Sequence, residues 1–221
     1  DEGPDSGPLA WYALSPMIES AAERARRACL PVFGKVNLPP IRLFVADPPN
    51  FASLGSNSTF GGFASGNQIV IRAGRAQEME ATLAHEYVHI VHSAHYRDQP
   101  RWISEGLAES LSRSGTRNSA WTSATVTRLN LSREVKQGVF SSVVQWNAGA
   151  SSDDREPIRY ALSFLAVDYL RFGGFSVPDE RLGFLLGRLS RREPGARALE
   201  QLYSMSLREL DNAVEAWVSS R

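Results

Sequence analysis

Strand character in this 221-residue chain is confined to two short runs, residues 41–45 and 68–72, and beyond Arg75 the apolar spacing turns helical almost to the end. Strands first and helices afterwards predict an α+β fold, with a small N-terminal sheet followed by a mostly helical part, and not an alternating α/β one. One domain is expected over residues 11–221, preceded by a flexible Gly-, Pro- and Asp-rich arm over residues 1–10. Within it, residues 11–75 hold a helix and the sheet, and residues 76–221 hold the helical part.

The local signals fill in this outline. A first helix is expected over residues 15–28, with Ser15 as its N-cap and Pro16 at its first position. Asp47-Pro48-Pro49-Asn50 reads as a turn, and the Gly-, Ser- and Asn-rich residues 52–66 read as a loop. Residues 68–72 are short enough to be an edge strand. Helices are expected over residues 76–94, 102–113, 155–172, 178–191 and 206–219, the third closed by Gly173-Gly174. Residues 115–152 give no legible pattern.

Charge and composition remove several function classes. Lys+Arg and Asp+Glu both number 24, so no basic footprint marks nucleic acid or an anionic membrane as a partner. No apolar run approaches the ~18 residues needed to span a bilayer. Cys29 is the only cysteine, which excludes an internal disulfide and a cysteine-based zinc cluster. A first residue of Asp1 in place of Met fits a protein exported to the periplasm or secreted after signal removal, and equally a shortened chain.

All four histidines lie between positions 85 and 95. His85-Glu86-Tyr87-Val88-His89 is an H-E-x-x-H pattern inside an expected helix. Positions i and i+4 differ by only about 40° around the axis, so both imidazoles project from one face and can share a metal ion. Glu86 is then placed to hold and deprotonate a metal-bound water.

A catalytic zinc requires a third protein ligand and an open position, and two candidates are available. His95 has the spacing of the metzincin pattern H-E-x-x-H-x-x-G-x-x-H, but His92 stands where that pattern has glycine, and the first methionine after it is the distant Met205. On a continuous helix, moreover, His95 lies about 280° round from His85. Glu105 is the other candidate. It shares a helix face with Glu109 at i+4, and the small Gly106 and Ala108 permit close helix approach. Glu109 can accept a hydrogen bond from a ligand histidine and fix its tautomer.

H-E-Y-V-H followed by P-R-W-I-S-E-G-L-A-E-S resembles the gluzincin metallopeptidases, specifically the peptidase MA-like group, whose hallmark is H-E-x-x-H and then a W-x-x-E-G-x-A-E box. The resemblance extends to Tyr160-Ala161-Leu162-Ser163-Phe164-Leu165 and to Leu199-Glu200-Gln201-Leu202-Tyr203, and runs from about Ile69 to the end. It implies a zincin-like (thermolysin-like) fold, zinc held by His85, His89 and Glu105, Glu86 as general base, and Glu109 as the carboxylate behind a ligand. His92 and His95 are not part of the family pattern. His92 is expected to line the cleft or to be a hydrogen-bonded packing residue, and His95 to complement the helix dipole.

Tyr160, on the helix that resembles the family's next one, is the candidate for stabilising an oxyanion, with Arg159 as the fainter alternative. Strand 68–72 is expected to offer its edge to an extended peptide, and the loop before it to be a flap or a plain surface loop. The expected activity is zinc-dependent hydrolysis of peptide bonds in a peptide or protein substrate. The alternatives are a metzincin-type peptidase using His95, hydrolysis of another bond, and a non-catalytic zinc-containing binding or regulatory module.

Overall fold

Helix α1 (Trp11–Phe33) opens the computed structural model, which describes residues 11–35, 37–53, 61–113, 131–146 and 156–220. The expected arm over residues 1–10, the centre of the 52–66 loop and most of 115–152 lie outside the described residues. Helix α1 overruns its expected bounds at both ends. Ser15 is therefore not an N-cap: it lies inside the helix and its hydroxyl donates to Glu19 at 3.1 Å. Pro16 and Pro31 both lie inside the helix, Pro16 in its second turn and Pro31 in its last, and each removes one backbone N–H donor. Ala21, Ala25, Cys29 and Val32 form the buried row of α1, and three small side chains in it permit close packing on the helix that carries the histidines.

The sheet corrects two expectations. Its strands are β1 (Arg42–Ala46), β2 (Gly62–Ser65) and β3 (Gln68–Arg72), in the order β1-β3-β2, with β1 parallel and β2 antiparallel to β3. Strand β3 is thus central and not an edge. Its continuous apolar run Ile69-Val70-Ile71 is buried on both faces, the mark of an interior strand. Strand β2 lies where a loop was expected, because Gly62-Phe63-Ala64-Ser65 carries no β-branched residue. Ser65 pairs with Gln68 across the turn Gly66-Asn67, and Gly66 adopts φ +60. The expected turn at 47–50 is the start of a short helix, α2 (Pro48–Ser53), capped by Asp47, whose side chain accepts from the Asn50 amide at 2.9 Å.

Eight helices follow among the described residues: α3 (Ala76–His95), α4 (Arg101–Ser112), α5 (Leu131–Lys136), α6 (Val139–Val143), α7 (Glu156–Phe172), α8 (Pro178–Ser190), α9 (Gly195–Tyr203) and α10 (Leu207–Ser219). Five match the expected helices to within a residue or so, and α5, α6 and α9 were not anticipated. Ser206 and Glu209 form a reciprocal capping box at the start of α10. The architecture is a mixed α+β one, dominated by helix. No described helix is long and apolar enough to cross a membrane.

Helix α3 stands between two cores. Met79, Leu83 and Ile90 face Ile69, Ile71 and Ala21 beside the sheet, whereas Ala84, Val88 and Val91 join the larger helical core. Helix α7 runs through that larger core, buried on all sides from Ala161 to Leu170. Helix α4 lies against α7 at Gly106, where a Cβ would stand only 2.4 Å from the backbone oxygen of Ser163. That close approach sets the depth at which α4 presents its outer face to α3.

Candidate metal centre

The histidine face of α3 and the glutamate face of α4 meet along one seam. His85 and His89 turn their Nε2 atoms toward each other at 3.0 Å. Glu105 Oε2 lies 3.4 Å from His85 Nε2 and 3.3 Å from His89 Nε2. These three ligand atoms all fall within 4.8 Å of one another and form a group that can hold a metal ion.

The other ring nitrogens turn outward. His85 Nδ1 lies 3.3 Å from Glu109 Oε1, and His89 Nδ1 pairs with the Ser104 hydroxyl at 3.2 Å. An Nδ1–H given to an outer acceptor leaves the Nε2 lone pair facing inward. Two inward lone pairs and a carboxylate oxygen crowded together repel unless a cation lies among them. The donor chemistry therefore fits a divalent metal.

The surrounding carboxylates favour positive charge at this place, which a proton on His85 supplies in the metal-free protein. Burial works against charge on His85, yet the carboxylates of Glu105 and Glu109 outweigh it and hold its proton well above the usual histidine range. Burial raises Glu105 and Glu109, but the histidines beside them more than reverse this, and Glu109 is pushed down to about 2 with help from Arg113. Glu86 behaves oppositely. Burial dominates and raises its carboxyl above the ordinary value, while His85, His89 and the Ala64 amide pull the other way. It shares the sheet-facing row of α3 with Met79, Leu83 and Ile90, at spacings of three and four. That row brings Glu86 to the backbone of β2.

Three participants were not anticipated. Ser104 holds His89. Arg101 Nε lies 3.8 Å from Glu105 Oε1, and Arg113 binds Glu109 Oε2 through Nε at 2.7 Å and Nη2 at 2.6 Å. Arg101, Glu105, Glu109 and Arg113 recur every fourth residue from the start of α4 to its C-cap, so one face carries a carboxylate pair with an arginine at each end. The spacing was visible in the sequence as R-x-x-x-E-x-x-x-E-x-x-x-R, although pairing across to α3 was not.

Tyr160 is half-buried, and its hydroxyl accepts from Arg101 Nη2 at 3.1 Å, which links it to Glu105 through the arginine. His92 is buried against Phe33, with ring centres 5.8 Å apart, and its Nε2 has no hydrogen-bond partner. Burial, with His89 and His95, pushes its pKa down to about 3. His95 is exposed. Its Nδ1 meets the Val91 carbonyl at 3.1 Å in the last turn of α3, and the ligand group does not include it. No protein-family model, curated protein or solved structure matches the chain.

Proposed function

We propose that this protein is a zinc-dependent hydrolase of peptide bonds, gluzincin-like in its site and zincin-like in the helices that carry it. The observation behind this reading is the convergence of His85 Nε2, His89 Nε2 and Glu105 Oε2 with Glu86 buried beside them. Two imidazoles and one glutamate are a ligand set of catalytic zinc sites, which keep a position open. Structural sites are closed by four ligands, mostly Cys and His. Here the group among the described residues has three donors, and Cys29 is buried in the core.

Zinc at these donors supplies Lewis acidity toward a carbonyl oxygen and toward water. Glu86 takes a proton from the attacking water as its oxygen bonds to the carbonyl carbon. The same carboxyl then protonates the leaving nitrogen as the C–N bond breaks, giving a carboxylate and an amine. A carboxyl whose pKa is raised by burial suits both transfers. Strand β2 is an edge of the sheet next to Glu86, and it, not β3, offers backbone pairing to an extended peptide. The Tyr160 hydroxyl, which accepts from Arg101 beside Glu105, is the group assigned to stabilise a developing oxyanion.

The test combines metal analysis of the purified chain with cleavage of a peptide library by wild type and Glu86→Gln. Stoichiometric zinc in both, with cleavage reduced in the variant by a factor on the order of 10²–10⁴, is expected. Undiminished cleavage by Glu86→Gln, or a wild type that holds no metal, would overturn the reading.

A further inference from the structure

Arg101 is the first residue of α4, one turn ahead of Glu105. Helix electrostatics do not favour an arginine there. The N-terminal end of a helix is the positive pole of its dipole, and a cation preceding a carboxylate at i, i+4 is the weaker order of the pair. Arg101 is nonetheless held from three segments of the chain. Its guanidinium carbon lies 4.8 Å from the centre of the Trp146 ring and 5.6 Å from that of Tyr160. Those two rings meet edge to face at 5.3 Å. Nη2 donates to the Tyr160 hydroxyl at 3.1 Å, and Nε faces Glu105 Oε1 at 3.8 Å. A planar cation stacked on aromatic rings has little freedom left, so its charge stands at a fixed place.

That fixed charge makes the two oxygens of Glu105 unequal. Oε2 faces both imidazole nitrogens, and Oε1 faces Arg101. At 3.8 Å the arginine contact is an ion pair and not a hydrogen bond, so it acts through charge. Glu109 repeats the arrangement, with Oε1 on His85 Nδ1 and Oε2 on Arg113. A carboxylate without such a partner is free to turn either oxygen, or both, to a metal.

We propose that Arg101, clamped by Trp146 and Tyr160, is a positioning residue of the metal centre that holds Glu105 Oε1 away from the metal and leaves Oε2 as its one ligand oxygen. The coordination position that Oε1 would take is thereby kept for water and substrate. This inference rests on the reading of His85, His89 and Glu105 as metal ligands.

The experiment uses the full chain as wild type, Arg101→Met, Arg101→Lys and Tyr160→Phe. Zinc affinity is measured by chelator competition, the cobalt(II)-substituted protein by its visible spectrum, and the metal-free protein by thermal unfolding. Arg101→Met keeps an apolar stem against the rings and removes the charge. Its zinc affinity is expected to fall about 10- to 100-fold, the usual cost of losing a partner behind a ligand. Its cobalt absorption is expected to weaken, as a second carboxylate oxygen raises the coordination number. Arg101→Lys restores part of both, and Tyr160→Phe shows a smaller change in the same direction. An Arg101→Met variant with wild-type zinc affinity and cobalt spectrum would overturn the proposal. So would an affinity loss that only tracks lost metal-free stability, with the cobalt spectrum unchanged. A wild type that binds neither metal refutes the ligand reading itself, and this inference with it.

Discussion

Glu109 stands behind His85, its Oε1 3.3 Å from the ring's Nδ1, while its other oxygen is bound by Arg113. The carboxylate thus holds Nδ1 on the outer side and leaves Nε2 to face Glu105. Glu109→Ala removes that control without touching a ligand atom. Metal affinity is expected to fall about 10- to 100-fold, measured by competition with a chromophoric chelator. An unchanged affinity would mean that His85 needs no such partner.

Glu105 and His95 separate the two ways of completing the ligand set. Glu105 Oε2 lies within 3.4 Å of both imidazole nitrogens, and His95 instead meets the Val91 carbonyl. Glu105→Ala is expected to lose metal far beyond the tenfold-to-hundredfold loss set for Glu109→Ala. His95→Ala is expected to retain it. The reverse pair of results, read by metal content after dialysis, would restore a three-histidine site.

The helices that carry the site were legible because their signals are periodic and local. His85 and His89 at i, i+4, and Glu105 and Glu109 at the same spacing, each define a face without knowledge of what lies opposite. Strand β2 was illegible for the opposite reason. Gly62 and Ala64 have little strand preference of their own, and their pairing with Ile71 and Ile69 across a two-residue turn decides their conformation. The same tertiary context makes β3 central, although its unbroken Ile69-Val70-Ile71 run hinted at burial on both faces. Ser104 acts across the seam between α3 and α4, and Arg101 reaches Trp146 and Tyr160 outside its own helix, relations that periodicity within one helix does not contain. In α1 the placing of Pro16 at the first helical position misled, because the helix begins at Trp11 and runs through it, with the Ala21, Ala25 and Cys29 row packed inside.

Gly106 couples stability to the site. A methyl group there would meet the Ser163 carbonyl oxygen at 2.4 Å and the Val167 side chain at 2.7 Å. Backbone on one side gives no room for a rotamer to relieve the clash, so α4 must shift away from α7. Gly106→Ala is expected to cost about 1–3 kcal/mol of stability despite alanine's better helix propensity, as read from denaturant midpoints. Because Glu105 is its chain neighbour, metal affinity should fall as well. Unchanged stability would show that α4 and α7 are less tightly joined than the geometry requires.

His92 gives the fold an acid-sensitive element. Its pKa is pushed down from 6.5 to about 3 by burial, then by His89 and His95. Between those two values the unfolded chain binds a proton that the folded chain refuses. Stability therefore falls as pH drops below 6.5, by about 1.4 kcal/mol per pH unit, and levels off near the folded value. In the metal-free protein His85 has the opposite sign: its raised pKa contributes stability that is full below 6.5 and lost as pH rises through the folded value. The difference between wild type and His92→Leu isolates the first effect, since His85 is common to both. Leucine fills a similar volume against Phe33 and removes the unpaired Nε2. Denaturant unfolding from pH 7 down to 4, with metal chelated, should give a gap that widens in favour of the variant as pH falls. Parallel curves would mean that His92 is protonated as readily in the fold as outside it.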